Sequence, residues 1–239
     1  MKKLLIISLW LFLIVTGVNA QIIKTVGATG ANYPTLKSAF DAINAGTISG
    51  TITLQITGST NETSSAAINA SGAGSANYSS ITIYPVETGI TVSGNISGSL
   101  IQFNGADNVT VDGRVNGTGS TKDLTISNTN NATSATILFI NSAENNIVKY
   151  CAIKGSETSS GKGVIHFSTA SSGNGNDGNI IDNNNITSSA SGRPINAVYS
   201  YGSAGYENSG NIISNNNIYD FLRTSNNSNG VNPHCSPNS

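Results

Sequence analysis

The sequence predicts an all-β fold, a parallel β-solenoid of about six coils with one α-helix near its N-terminus. From residue 47 onward, short strands of alternating apolar residues are separated by Gly-, Ser- and Asn-rich connections. One strand pattern also recurs at a nearly fixed step, because residues 146–153 are echoed at 179–186 and at 211–218, with offsets of 33 and 32 residues. A β-sandwich would produce similar short strands, but it would not produce this period.

A second strand series advances with nearly the same step. Residues 164–167 align with 196–199, and an earlier, weaker copy aligns 100–104 with 137–141. A coil of this size buries too little apolar surface to be stable alone, so coils stack about 4.8 Å apart and pair their strands with the coils above and below. Ile and Val are then expected to point inward and to stack on like residues.

The corner between two strands carries Cys151, Asn184 and Asn216 in successive copies. Asn tolerates the left-handed backbone of a sharp bend, and its amide can hydrogen-bond the Asn one coil away. We therefore expect these three residues to form a buried structural column. Cys151 is interpreted as a small packed residue of that column rather than as a nucleophile or a metal ligand.

Residues 1–20 are predicted to be a signal peptide. Lys2 and Lys3 precede an apolar run, Leu4–Val15, and small residues stand just before Gln21. A run of about 12 apolar residues is too short to span roughly 30 Å of hydrocarbon as a helix. No later segment is long and apolar enough to span a membrane, so the sequence predicts a protein that is secreted or displayed at the cell surface.

Residues 21–46 are expected to form an N-terminal strand and a capping helix at about Pro34–Ala45. Leu36, Phe40 and Ile43 share one helical face. We expect this face to cover the exposed end of the stacked strands.

The coils are assigned to residues 47–230. Residues 231–239 are interpreted as the truncated start of a further coil or as a non-native tail, because Gly230-Val231-Asn232 resembles an opening strand and is followed by two prolines within five residues.

The composition narrows the classes of function. Eleven basic residues nearly balance twelve acidic ones, and only 10% of the residues are charged. A nucleic-acid partner is therefore not expected, because such partners usually need a basic face. Ser, Asn, Gly and Thr together supply 117 of the 239 residues, while 37% hydrophobic residues suffice for a core. These values are typical of an uncharged, exported, β-rich protein.

Several segments resemble right-handed parallel β-helix proteins of the pectin-lyase-like class. Residues 33–43 resemble their N-terminal cap, residues 105–113 resemble a typical coil, and 178–186 and 210–218 resemble the generic parallel β-helix repeat. The chain is most similar to the N-terminal part of long exported surface proteins that carry a type IX secretion tag. The resemblance implies the fold but leaves the function open, because such coils serve lyases, hydrolases, esterases, adhesins and spacers.

The best catalytic candidates are Asp112, Lys149 and Asp182. The repeat alignment places them in one row on an outer face, about 4.8 Å apart per coil, and acid–base chemistry needs two carboxylates on one groove. The competing interpretation is a solvated row of charges, which is common on protein surfaces.

Candidate ligand-binding residues are few. Arg114 is a candidate sugar-binding arginine, and Tyr199, Tyr201 and Tyr206 are candidate stacking platforms for sugar rings. Residues 172–177 partly resemble a glycine-rich Ca²⁺-binding repeat, but that motif works by consecutive repetition and occurs once here, so no metal or other cofactor is predicted.

The function that the sequence favours is a non-enzymatic stalk or adhesin module of an exported surface protein, with extracellular glycans or cell-surface polymers as partners. Two alternatives stay open. One is a polysaccharide lyase or glycoside hydrolase of the pectin-lyase-like class, and the other is a non-catalytic carbohydrate-binding module.

Overall fold

The computed structural model describes residues 21–189, 192–222 and 229–234. The predicted signal peptide and residues 235–239 lie outside the described residues. Within the described part of the chain, no helix is long and apolar enough to cross a membrane.

One α-helix, α1 (Leu36–Asn44), follows the first strand, and a short 3-10 helix (Val115–Gly117) lies between two strands of the third coil; the other regular elements of the described residues are short strands. The strands are β1 (Ile22–Val26), β2 (Gly50–Ile56), β3 (Thr60–Glu62), β4 (Ala66–Asn69), β5 (Tyr78–Pro85), β6 (Ile90–Gly94), β7 (Gly98–Asn104), β8 (Val109–Asp112), β9 (Leu124–Asn128), β10 (Ser134–Ile140), β11 (Ile147–Lys149), β12 (Cys151–Gly155), β13 (Ile165–Phe167), β14 (Ile180–Asp182), β15 (Asn185–Ser188), β16 (Asn196–Tyr201), β17 (Ile212–Ser214), β18 (Asn217–Ile218) and β19 (Asn229–His234).

The strands form three parallel sheets, and each coil contributes one strand to each sheet. Sheet 1 has the order β1-β2-β5-β8-β11-β14-β17, sheet 2 runs β3-β6-β9-β12-β15-β18, and sheet 3 runs β4-β7-β10-β13-β16-β19. The described residues therefore make about six coils, from β2–β4 to β17–β19, as the repeat period predicts. The predicted side-by-side arrangement of the three copies is confirmed, because Val148 pairs with Ile181 and Ile181 pairs with Ile213.

The register of sheet 3 differs by one residue from the sequence alignment. The alignment places Leu100 beside Ile137, whereas the structure pairs Ile101 with Ile137. The cause lies in the core, where the rings of Phe103, Phe139 and Phe167 stack with centroids 4.8 and 4.6 Å apart. These buried rings align the strands, and connections of unequal length absorb the extra residue.

Helix α1 caps the N-terminal end of the core. It begins after Thr35, whose side chain accepts a hydrogen bond from the Ser38 N–H in a capping box. Pro34 therefore lies outside the helix, whereas the sequence predicts a helix that begins at about Pro34. The carboxylate of the buried Glu62 accepts the N–H groups of Leu36 (2.9 Å) and Lys37 (3.0 Å), which are orphan donors at the helix N-terminus.

The last described strand belongs to the sixth coil. Strand β19 pairs with β16 in sheet 3, and Val231 lies beside Val198. Residues 231–234 therefore lie in the third strand of the sixth coil, and the interpretation of residues 231–239 as a truncated coil start or a non-native tail stays a prediction.

Pairs of adjacent residues build the corner between sheets 1 and 2. Asn183 and Asn215 take left-handed conformations, with φ of 56° and 53°, and Tyr150 takes the same conformation with φ of 53°. The residues after the two bent asparagines, Asn184 and Asn216, carry the side chains that join the coils, whereas the thiol of Cys151, after Tyr150, contacts the Lys149 carbonyl of its own coil. The two properties that the sequence assigns to one Asn are thus divided between two neighbours.

Candidate functional site

The predicted row of charged residues exists on the outer side of sheet 1. Lys149 pairs in register with Asp112 on one side and with Asp182 on the other, and Ser214 continues the row. The strands β8, β11, β14 and β17 carry these residues at their ends, where the chain turns toward sheet 2. The repeat alignment located this row correctly.

Asp112 is buried and fully paired rather than solvated. Only 4% of it is exposed. Arg114 donates from Nε to Oδ1 (2.8 Å) and from Nη2 to Oδ2 (2.6 Å), and the Lys149 ammonium lies 3.4 Å from Oδ2. The Arg114 guanidinium also lies 4.3 Å from the ring centroid of Tyr150, so the ion pair is covered from outside.

This pairing sets the protonation state of Asp112. Burial works to raise the pKa of the carboxyl, but the hydrogen bonds and charge of Arg114, with the charge of Lys149, hold the pKa below its ordinary value. An ionised carboxylate has no proton to donate as a general acid. Its lone pairs already accept hydrogen bonds, so it is also a poor general base. The guanidinium of Arg114, the candidate sugar-binding residue, is engaged in this ion pair.

Asp182 is engaged in a different way. Its carboxylate accepts hydrogen bonds from Ser214 Oγ (2.7 Å), Asn215 Nδ2 (2.9 Å) and Asn183 Nδ2 (2.6 Å). Burial of the carboxyl acts to raise its pKa, and these hydrogen bonds together with the Lys149 charge lower it further than burial raises it. The row therefore holds two ionised carboxylates bound by local partners.

A second polar site, which sequence reasoning missed, lies on the outer side of sheet 3. It is a cleft of about 310 Å³ that crosses four coils, and we call it the sheet-3 cleft. Its lining is Ser65, Ser97, Gly98, Ser99, Gln102, Thr133, Ala135, Leu138, Lys162 and His166.

The lining of the cleft combines two ionisable side chains with several hydroxyl groups and one amide. Among the described residues, Lys162 and His166 are its ionisable lining residues, and no described carboxylate lines it. Ser99 Oγ donates to Gln102 Oε1 (3.3 Å) and lies 3.3 Å from Ser65 Oγ, so these hydroxyls and the amide form one polar strip. The cleft is thus a hydroxyl-rich surface with a single cation.

His166 lies at the wall of the cleft and is only 3% exposed. Its ring packs edge-on against Tyr199, with centroids 5.3 Å apart. Nδ1 has no hydrogen-bond partner among the described residues, and burial together with the Lys162 charge lowers the pKa of His166 to about 3. The imidazole is therefore neutral at pH 7 and presents one unused ring nitrogen.

Behind the cleft, the connection between β12 and β13 buries an acidic residue. Glu157 is 1% exposed, and its Oε2 accepts the Ser159 N–H (2.9 Å), while Oε1 has no partner among the described residues. Burial raises the pKa of Glu157 to about 7. Asn196 of the next coil donates from Nδ2 to the Lys162 carbonyl (2.7 Å) and so holds this connection in place.

The three candidate tyrosines differ in exposure, and their role as stacking platforms for sugar rings stays a prediction. Tyr199 is 8% exposed, and its ring makes a T-shaped contact with His166. Tyr201 is 38% exposed at the end of β16. Tyr206 is half-buried in a turn, bridged to Ser203.

Cys151 occupies the predicted column. It is fully buried, its N–H donates to Asn184 Oδ1 (2.9 Å), and burial raises the pKa of its thiol. No cluster of three or more His, Cys, Asp or Glu side chains that could hold a metal occurs in the described ranges. In the Gly-rich stretch 172–177, Asn176 is buried and donates to Asn208, so the residue serves the coil contacts.

Comparison of the chain with family models, with curated proteins and with solved structures gives no match.

Proposed function

We propose that the chain is a non-enzymatic module of an exported surface protein, a stalk or adhesin of the pectin-lyase-like, right-handed parallel β-helix class. The solenoid holds its polar side chains on a rigid rod and presents them to extracellular glycans. The observation that carries the proposal is the state of Asp112 and Asp182, the best catalytic candidates. Both carboxylates are bound by neighbouring residues and neither is left for chemistry.

The sheet-3 cleft supports glycan contact in particular. Hydroxyls of Ser65 and Ser99, the amide of Gln102 and the ammonium of Lys162 offer donors and acceptors of the kind that sugar hydroxyls match. A cleft of this volume lies near the lower end of the range for ligand sites, about 300–1,000 Å³. Lys162 forms no ion pair among the described residues, so its charge is available to a ligand.

A turnover assay separates this proposal from the enzymatic alternative. Purified protein is incubated with uronate polymers and with neutral polysaccharides, and chain scission is followed by product size and by absorbance of unsaturated products. No scission is expected. Depolymerisation that disappears in Asp112→Asn or Asp182→Asn would identify an enzyme and overturn the proposal.

Binding is tested on a glycan array with a matched pair of variants. Gln102→Ala removes an amide from the cleft, while Gln55→Ala removes the same side chain from the outer side of sheet 1. We expect the glycans that the native protein binds to bind at least five-fold more weakly to Gln102→Ala. Their affinity for Gln55→Ala should be unchanged. Equal binding by both variants, or binding by neither the native protein nor the variants, would count against the cleft as the contact surface.

A further inference from the structure

The two ends of the sheet-3 cleft differ in charge. Ser65, Ser99 and Gln102 belong to the first and second coils and supply hydroxyls and an amide, whereas Lys162 and His166 belong to the fourth coil. Gln102 pairs with Leu138 and Leu138 pairs with His166. At about 4.8 Å per coil, the two ends lie about 10 Å apart. A ligand that spans the cleft therefore meets neutral groups at one end and a positive charge at the other.

The main chain of Lys162 is fixed by the next coil. Asn196 donates from Nδ2 to the carbonyls of Lys162 (2.7 Å) and Ser160 (3.2 Å). Gly163, the following residue, lies so close to β16 that a Cβ there would come within 2.8 Å of the main-chain nitrogen of Tyr199. The side chain of Lys162 thus starts from an anchored segment, which reduces the loss of conformational freedom when a ligand binds.

The positive charge of Lys162 has no counter-ion within the described ranges. None of the ion pairs there includes it. Burial, followed by this charge, lowers the pKa of His166, so the field of the ammonium reaches the imidazole. Glu157, on the same connection, is buried and lies outside the described lining of the cleft. An anion seated in the cleft would therefore compensate a charge that these residues leave unpaired.

The imidazole of His166 carries a polar atom without a partner. The residue is 3% exposed and lines the cleft, and Leu138 and Tyr199 flank it in the same row of sheet 3. Its Nδ1 makes no hydrogen bond to any described residue. Either nitrogen of a neutral imidazole can carry the hydrogen. A ligand that accepts an N–H from Nδ1 would remove the cost of burying this atom unpaired.

We propose that Lys162 and His166 are specificity-determining residues of the sheet-3 cleft and bind an anionic group of a glycan, a carboxylate or a sulfate ester. The Lys162 ammonium compensates the negative charge, and the His166 imidazole donates a hydrogen bond to one of the anionic oxygens. Charge-assisted hydrogen bonds are stronger than neutral ones, so this end of the cleft decides which glycans are retained. The inference rests on the proposed glycan contact and adds the chemical class of the ligand.

The test compares oligosaccharides that differ only in charge. A glucuronate oligosaccharide is paired with its methyl ester, and a sulfated galactan oligosaccharide is paired with its desulfated form. Affinities are measured by calorimetry for the native protein and for Lys162→Gln, Lys162→Arg and Lys154→Gln. Lys154 is the matched control, because its strand neighbours are Ser127 and Thr187 on the outer side of sheet 2.

We expect the native protein to bind at least one charged oligosaccharide about ten-fold or more tightly than its neutral partner, as for a hydrogen bond to a charged group. Lys162→Gln should remove this preference, Lys162→Arg should retain most of it, and Lys154→Gln should leave it unchanged. A preference in both pairs would support recognition of the shared negative charge. A preference in one pair would support the inference and identify the group as a carboxylate or a sulfate.

The imidazole is followed separately by NMR of isotope-labelled histidine side chains, and the His166→Gln variant assigns the signal. The charged probe should shift the Nδ1 resonance of His166, whereas its neutral partner should not. An unshifted resonance in the saturated complex would overturn the role of His166.

Equal affinities within both pairs, or a preference that survives in Lys162→Gln, would overturn the inference. Binding that still depends on Gln102 would then leave the proposed glycan contact intact. If the native protein binds neither charged nor neutral oligosaccharides, the inference and the proposed glycan contact both fail, so the two failures are distinguishable.

Discussion

Substitution of Glu157 by Gln should remove a pH dependence from the stability of the protein. The Glu157 carboxyl has a pKa raised by burial to about 7, against 4.5 for the free side chain. Because the pKa is higher in the folded protein, the native state keeps a proton that the unfolded state releases between these pH values. The stabilisation is therefore complete below pH 4.5 and is lost as the pH rises through 7.

The size of the effect follows from the two pKa values. At about 1.4 kcal/mol per pH unit, the difference corresponds to about 3 kcal/mol of unfolding free energy. The structure explains the direction, because an ionised Glu157 leaves a buried Oε1 with no donor in the described part of the chain, and the Oδ1 of the neighbouring Asn196 also lacks one there. Gln has the same shape and stays neutral, so the variant should not pay this cost at high pH.

The assay is chemical denaturation of the native protein and of Glu157→Gln at intervals from pH 4 to pH 8.5. The difference between their unfolding free energies should be nearly constant below pH 4.5 and should shift by about 3 kcal/mol in favour of the variant by pH 8. Taking the difference cancels all groups that titrate alike in both proteins. Parallel curves across the whole range would refute the reasoning about the buried carboxyl.

Three further predictions concern the core and its buried groups. His166→Gln should show the opposite pH effect, because burial lowers the pKa of His166 in the folded protein. Between pH 6.5 and pH 4, the native protein should lose about 3 kcal/mol of unfolding free energy relative to the variant, as measured by denaturation curves. Phe139→Ala removes the middle ring of the stacked phenylalanines and should cost about 3–5 kcal/mol of unfolding free energy, whereas Thr91→Ala on the outer side of sheet 2 should cost far less. Cys151 should resist iodoacetamide in the native protein and react in denaturant, as read by peptide mass spectrometry, since its thiol is buried and its pKa raised; rapid native labelling would show that the column is misplaced.

Much of the solenoid was predictable because the repeat period indicates which residues of neighbouring coils pair with each other. Residues 147–149, 180–182 and 212–214 pair as their spacing indicates, and the row from Asp112 to Asp182 follows from the same arithmetic. The period could not give the one-residue shift in sheet 3, because that register depends on the stacking of phenylalanine rings inside the core.

The candidate sites were less predictable than the coils. Nothing in the sequence near Asp112 shows that Arg114 folds back and that Tyr150, one coil later, covers the ion pair. Lys162 and Gln102 reach the same cleft from coils that are 60 residues apart in sequence, and the path of irregular connections brings them together. A search for outward-facing residues in register on β7, β10 and β13 would have found part of this site, because Gln102, Leu138 and His166 pair there.

The strand pattern, the Asn spacing and the amphipathic helix are local or periodic properties, and they were enough to specify a capped stack of about six parallel coils. Burial of individual outward groups is not periodic, because it depends on which connection lies over which strand. Tertiary contacts alone therefore decided that the negative charge of Asp112 is paired with neighbouring cations, that Glu157 and His166 are buried, and that a polar cleft opens on sheet 3.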